Sequence, residues 1–226
     1  MRKTIGINLG LLGLSFALLL GALGMIFLWV PTEREMGIIQ RVFYFHVPVA
    51  WLAFFAFFIV FVFSTMYLWK RQSRFDILAR SSAELGVVFT TLVLITGSVW
   101  AKTAWEVWWT WDPRLTSALV MWLIYFAYIH VRSYTADRER GARFAAVIGI
   151  VGFIDVPIVA LAIQLWRTQH PRALIFEDGL APEMLATLLV SLAAFTTLFF
   201  LLLRVRVAMR QDEDEIERLK QLYVNV

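Results

Sequence analysis

Short charged segments divide the chain into apolar stretches of roughly twenty residues, the length that a helix needs to cross a bilayer. With 60% of its 226 residues hydrophobic and only 17% charged, the chain cannot hide this much apolar surface in a soluble fold. The sequence therefore predicts an all-α integral membrane protein with six transmembrane helices. The predicted spans are residues 7–30, 47–69, 85–100, 115–131, 144–166 and 184–203.

The basic residues predict how the chain is oriented. In this topology, 15 of the 21 Lys and Arg residues fall on the side that holds both termini, and the other 6 fall on the opposite side. Because cytoplasmic loops carry the excess of Lys and Arg, the N- and C-termini are predicted to be cytoplasmic. Loops 31–46, 101–114 and 167–182 then face outward, and residues 211–226 form a short amphipathic cytoplasmic tail after a membrane domain at 1–210. The absence of cysteine excludes disulfides and thiolate metal sites.

A tryptophan-rich outer loop joins the third and fourth predicted helices, with five of the ten tryptophans at positions 100–111. Interfacial anchoring explains one or two of them. Five indicate either of two arrangements. They could form an aromatic shelf for a planar ligand, whose carboxylates would pair with Arg114 or Lys102. Alternatively, they could form a packed plug that closes the bundle, with Asp112 and Arg114 paired to each other.

Two of the three histidines are predicted on the same outer side as this loop. His46 lies at the outer end of the second span and His170 just beyond that of the fifth, whereas His130 lies at an inner end. Two histidines on separate loops could bind a haem iron from opposite faces, although an interfacial histidine bonded to backbone or water explains either one alone. Positions 36, 39, 43 and 46 share one face of a predicted surface helix. Asp155, inside the fifth span, predicts either a structural hydrogen bond to Ser, Thr or Trp or a proton or ion path.

Three segments carry a resemblance to a known family. The segment Trp-Glu-Val-Trp-Trp-Thr-Trp-Asp-Pro-Arg-Leu-Thr at 105–116 resembles the tryptophan-rich WWD signature of haem-handling proteins of cytochrome c maturation. Phe-Tyr-Phe-His-Val-Pro at 43–48 and Val-Pro-Ile at 156–158, followed by Trp-Arg-Thr-Gln-His at 166–170, resemble the CcmC family within that group. Three positions depart from it: Glu106 stands where Gly is usual, Asp155 where Asn is common, and Pro113 follows Asp112 as in the larger CcsA-type synthase subunits.

The resemblance implies that the protein binds haem b at the periplasmic face of a bacterial inner membrane, with His46 and His170 as axial ligands. It implies a platform for haem and chaperone made by Trp105, Trp108, Trp109, Trp111 and Asp112, with Arg114 and Lys102 placed for the haem propionates. The implied partners are a CcmE-like haem chaperone, CcmA/CcmB-like ABC subunits and a small CcmD-like membrane protein. The sequence has no P-loop, so we interpret the chain as a haem-presenting subunit without its own ATPase rather than as an enzyme.

Three alternatives stay open at this point. A permease or channel subunit would use the tryptophan loop as a structural lid and Asp155 along its path. A scaffolding subunit would recruit partners through its outer loop and its tail. Within the resembled group, a CcsA-type cytochrome c synthase subunit is the alternative.

Overall fold

The computed structural model describes residues 8–135, 137–166 and 180–224, and this part of the chain is helical apart from short connections. Its α-helices are α1 (Leu9–Gly24), α2 (Phe43–Lys70), α3 (Ser73–Trp105), α4 (Pro113–His130), α5 (Arg138–Gly152), α6 (Asp155–Leu165) and α7 (Pro182–Val224). A π-helical turn, Met25–Trp29, extends α1. Short 3-10 helices lead into α2 at Ile38–Val42 and follow α4 at Val131–Tyr134.

Five helical stretches are long and apolar enough to cross a membrane, which confirms an all-helical, multi-pass membrane protein. They are Leu9–Trp29, Ile38–Lys70, Ser73–Trp105, Arg138–Ala162 and Pro182–Glu217. These overlap the first, second, third, fifth and sixth predicted spans. The fourth predicted span coincides with α4, which is helical as expected but is not one of the five. The count of six therefore stays a prediction.

The fifth predicted span is not one continuous helix, because α5 ends at Gly152 and α6 begins at Asp155. Pro157 explains the interruption: it has no N–H to donate to the carbonyl of Phe153, four residues earlier, and its ring crowds that carbonyl. The N–H of Val156 donates to the Phe153 carbonyl instead, at 3.2 Å. The break places Asp155 in the first turn of a new helix.

The sixth span continues without a break through position 210, since α7 is a single helix of 43 residues. The segment predicted as an amphipathic tail is thus helical and collinear with the span before it. Its apolar side chains Ile216, Leu219 and Leu222 are exposed. The division into a membrane domain and a tail stays a prediction.

The core of the bundle is built around α2, which packs against α3, α5 and α7. At its centre the ring of Phe57 stacks on Tyr125 of α4, with 3.6 Å between the ring centroids and 9° between the planes. The close approach needs Gly86 on α3, because a Cβ there would lie 2.4 Å from the Phe57 ring. This aromatic pair lies at the junction of α2, α3 and α4.

The ion pairs of the described residues gather at the end of the bundle away from the tryptophan loop. Arg132, just after α4, donates two hydrogen bonds to Asp76 at the start of α3, at 2.9 and 2.5 Å. Glu84 of α3 accepts from Arg206 and Arg210 of α7. These pairs join the charged ends of three helices, whereas His46 and the tryptophan-rich segment lie towards the opposite end of the bundle.

Candidate functional site

His46 lies in the first turn of α2, and its side chain is buried, with the residue only 7% exposed. The Nδ1 atom of its ring is 2.8 Å from the hydroxyl of Thr96 on α3. The ring also meets Trp100 edge to face, with 5.8 Å between centroids. Gly97 makes room for the imidazole, because a Cβ at that position would lie 3.2 Å from His46 Cε1. Thus α2 supplies the histidine and the C-terminal part of α3 holds it.

A capped turn before α2 determines where this helix begins. The Glu33 carboxylate accepts the backbone N–H of Met36 at 2.5 Å and that of Glu35 at 2.8 Å. The bond from Met36 holds the pKa of Glu33 below its usual value. Gly37 then takes a φ of 61°, a left-handed conformation that glycine adopts without strain. The predicted surface helix therefore begins only at Ile38, without Met36, and runs directly into α2.

An apolar cavity of about 70 Å³ lies beside His46, between α2, α3, α4 and α6. Its walls are mainly aliphatic and aromatic, and they include Leu94, Met121 and Val159. The few polar and charged groups on the wall stand out against this background: His46, Thr90, Thr110, Asp112 and Arg114. A concave apolar site with a few placed polar groups is the usual form of a small-molecule site.

The five tryptophans at 100–111 fall into two groups. Trp100 and Trp105 line the cavity, and Trp100 is 8% exposed. Trp108 and Trp111 are instead 59% and 75% exposed, and Trp111 meets Trp109 edge to face at 5.7 Å. Trp100 and Trp105 thus form part of the cavity wall, whereas Trp108 and Trp111 form an exposed aromatic patch. Trp100 was one of the five tryptophans of the predicted aromatic shelf but not of the platform that the resemblance implies, and Thr96 and Gly97 were not predicted for the site.

Glu106 ends α3 in a left-handed conformation, with a φ of 62°. This geometry gives a physical reason for the glycine that the resembled family usually has at this position, since glycine alone adopts such a φ at no steric cost. The ammonium group of Lys102 donates to the Glu106 carbonyl at 3.0 Å and so satisfies the end of the helix. Lys102 therefore already has a backbone partner.

Asp112 caps the N-terminus of α4. Its Oδ1 accepts the backbone N–H groups of Arg114 and Leu115 at 2.9 and 3.0 Å, and the Thr110 hydroxyl donates to its Oδ2 at 2.9 Å. Pro113 fits the first helical position, where no N–H is needed. Asp112 thus contacts Arg114 through the backbone, and the ion pairs of the described residues do not include one between their side chains. Arg114 is one of the residues that line the cavity.

Buried donors without partners also mark this region. The indole N–H groups of Trp100 and Trp109 are buried with no hydrogen-bond acceptor among the described residues. A buried unsatisfied donor costs about 1–3 kcal/mol, and a ligand that brings acceptor oxygens would remove this cost. An imidazole, aromatic walls, buried indole N–H groups and an arginine together fit haem, which combines an iron, a flat apolar macrocycle and two carboxylates.

Three further residues that the sequence singled out are not part of the described cavity lining. His170 falls within residues 167–179, which are outside the described residues. His130 lies at the far end of α4 from Arg114, where its Nδ1 donates to the Phe126 carbonyl at 2.9 Å and its ring stacks on Phe126. For Asp155 the buried oxygen Oδ2 has no hydrogen-bond partner among the described residues, so the predicted structural bond is not found for this oxygen.

Comparison with known proteins gives one consistent family. The family described as Heme exporter protein C (CcmC) matches residues 4–221. The chain is 36% identical over 172 residues to Heme exporter protein C of Bradyrhizobium diazoefficiens, covering 75% of this chain and 65% of that protein. It is 32% identical over 200 residues to the Rhodobacter capsulatus protein of the same name, with 87% and 81% covered. For the Escherichia coli K12 protein of that name the identity is 31% over 172 residues, with 75% and 69% covered.

Proposed function

Because the chain belongs to the Heme exporter protein C family, we propose that it binds haem at the outer, periplasmic face of a bacterial inner membrane and delivers it to a haem chaperone for cytochrome c maturation. The observation that carries this proposal is the placement of His46, buried at the wall of an apolar cavity that Arg114 also lines. The haem, a haem b, is the cargo of the protein rather than a catalytic group.

The iron would be bound by His46 from one face and by His170 from the other. Two neutral imidazoles give a low-spin iron that no longer needs a water ligand. His46 is held by Thr96 and packed against Trp100, so its ring direction is set before haem arrives. The cavity beside His46 is also lined by Trp105, Val107 and Thr110. The macrocycle would therefore extend from His46 along the tryptophan loop.

The aromatic and charged side chains would orient the macrocycle. Trp105 lines the cavity and would offer an aromatic wall, while Arg114, which also lines it, would pair with a propionate. Lys102 is the weaker candidate for a propionate, because it already donates to the Glu106 carbonyl. Asp112 would act mainly through the cap that fixes the start of α4.

The exposed aromatic patch would meet the chaperone. Trp108 and Trp111 face away from the bundle interior, and Trp109 supports Trp111 from the side. Exposed indoles supply a large contact area at low cost in side-chain entropy, as protein interfaces commonly use. A CcmE-like chaperone could then approach the haem from the open side, and any bond to a haem vinyl group would form on its own nucleophile.

The topology follows from the same proposal. We place α4 as a sixth span and the ion-paired end of the bundle, with Arg132, Arg206 and Arg210, in the cytoplasm with both termini. ATP-driven steps would belong to CcmA/CcmB-like ABC subunits, and a CcmD-like membrane protein would complete the complex. These partners follow from family membership alone.

Haem binding by the purified full-length protein tests the proposal. Detergent-solubilised protein should retain haem with a low-spin spectrum. The variants His46→Ala and His170→Ala should each lose most of it, whereas His130→Ala, at the far end of α4, is the matched control and should not. Equal haem content in all three variants would contradict the assignment of His46 and His170 as haem ligands.

A transport function remains the second candidate, because Asp155 has a buried oxygen without a partner among the described residues and lies at a break between two helices. Ion flux through proteoliposomes that depends on Asp155 but not on His46 would favour it. Haem retention that depends on His46 and is unchanged in Asp155→Asn would count against it.

A further inference from the structure

We infer that Thr96 sets the tautomer of His46, keeping the ring proton on Nδ1 and the lone pair on Nε2. The inference rests on the proposed function, because the choice of tautomer has a consequence only if the imidazole binds a metal. It goes beyond that function by assigning a positioning role to a residue on a different helix.

The tautomer of His46 follows from the fact that the Thr96 hydroxyl has only one proton to donate. The Thr96 hydroxyl lies 2.7 Å from the carbonyl oxygen of Leu92, which can only accept a hydrogen bond. A hydroxyl has one proton, and this contact uses it. The same oxygen lies 2.8 Å from Nδ1 of His46, so there it must act as the acceptor. The Nδ1 atom therefore carries the proton.

If Nδ1 of His46 were unprotonated, the short contact between Thr96 and the Leu92 carbonyl would be unexplained. If Thr96 donated its proton to Nδ1, its oxygen would lie 2.7 Å from the Leu92 carbonyl oxygen with no proton between them. Two acceptor oxygens at that distance repel each other. Only the arrangement with a protonated Nδ1 satisfies both contacts at once.

Packing keeps the His46 ring in this arrangement. Gly97 leaves only enough room for the imidazole edge, since a Cβ there would lie 3.2 Å from Cε1. Trp100 closes another side, with its ring at 75° to that of His46. Exchanging the two ring nitrogens would require a ring flip within a residue that is buried between two helices.

The tautomer of His46 should affect how tightly this histidine binds a metal. A neutral imidazole binds a metal through the nitrogen that bears the lone pair, and a hydrogen bond to the other nitrogen fixes the tautomer and raises the basicity of the ligand. Removing such a supporting partner lowers metal affinity by about 10- to 100-fold. We therefore expect Thr96→Val to weaken haem binding about tenfold or more, while Thr96→Ser, which keeps the hydroxyl, restores most of it.

The test reads the tautomer without haem. The full-length protein is labelled with ¹⁵N-histidine, placed in lipid bilayers free of haem, and studied by solid-state NMR at a pH above the ordinary histidine pKa of about 6.5. The His46 signals are those that disappear in His46→Gln. In the wild type we expect a protonated Nδ1 and an unprotonated Nε2. In Thr96→Val the tautomers should mix, and in Thr96→Ser they should not.

Thr103→Val is the matched control. Thr103 lies on the same helix and donates to the carbonyls of Val99 and Trp100, so its variant loses the same kind of local bond without touching His46. A wild-type His46 protonated at Nε2, or a tautomer that Thr96→Val leaves unchanged, would overturn the inference. The wild-type spectrum shows which nitrogen of His46 is protonated even if Thr96→Val does not fold.

Haem titration of the same samples separates this inference from the proposed function. If the wild type shows the expected tautomer but binds no haem, the proposed function fails and the hydrogen-bond assignment stands. If wild type and Thr96→Val bind haem with equal affinity, the positioning role of Thr96 is wrong while the proposed function stands.

Discussion

Replacing Gly86 by alanine should destabilise the bundle beneath the candidate site. The new Cβ would lie 2.4, 2.8 and 3.0 Å from three atoms of the Phe57 ring, whereas ordinary contacts begin near 3.4 Å. Phe57 has 0% exposure and is stacked on Tyr125, so it cannot move by the required distance of about 1 Å without displacing that ring. Overpacking of this kind costs about 1–3 kcal/mol, and we expect the upper end of that range.

Thermal and chemical unfolding in detergent, followed by far-ultraviolet circular dichroism, measures the effect. Gly13→Ala is the control, because a Cβ at Gly13 meets no atom within 4 Å. Adding Phe57→Leu to Gly86→Ala should recover part of the loss, since the two side chains are in contact and their effects are coupled. A Gly86→Ala protein as stable as Gly13→Ala would refute the packing of α2 against α3 described above.

Substitutions at three further positions test individual parts of the site. Glu106→Gly should stabilise the protein by about 1 kcal/mol, because it removes a left-handed φ from a residue with a Cβ; a lower unfolding midpoint would contradict this. Asp112→Ala should cost about 1 kcal/mol through loss of the α4 cap, and Asp112→Asn should cost less, so equal losses would argue against a capping role. Arg114→Gln should lower haem affinity about tenfold, the value of one charged hydrogen bond. The affinity for haem dimethyl ester, which lacks propionate charges, should not change in this variant, and an equal loss for both ligands would exclude pairing with a propionate.

The helical membrane fold could be predicted because it depends on local pattern. Apolar runs of span length and basic clusters between them are visible in the sequence, and five of the predicted spans overlap helical stretches of sufficient length, one of them interrupted before Asp155. The break before Asp155 was missed although Pro157 was visible, because many membrane helices accommodate a proline without ending. The cap at Asp112 also had a visible signal, the Asp-Pro pair at the start of a helix.

The contacts that hold the residues of the candidate site in place could not be predicted, because they join segments that are far apart in the sequence. Thr96 is 50 positions from His46 along the chain, and no sequence pattern joins them. Gly97 lies within a helix, where a glycine indicates that another part of the protein packs closely against it. The sequence does not show that this part is His46. The division of the tryptophans into cavity walls and an exposed patch likewise depends on how α3 ends and α4 begins, and therefore on the backbone of Glu106.

In the proposed site, two histidines bind one haem iron. Low-temperature electron paramagnetic resonance of the full-length protein with ferric haem tests it most directly. We predict a low-spin signal typical of two imidazole ligands in the wild type and in His130→Ala, and a high-spin signal in His46→Ala and in His170→Ala. A high-spin signal in the wild type, or a low-spin signal that survives in His46→Ala, would contradict the account.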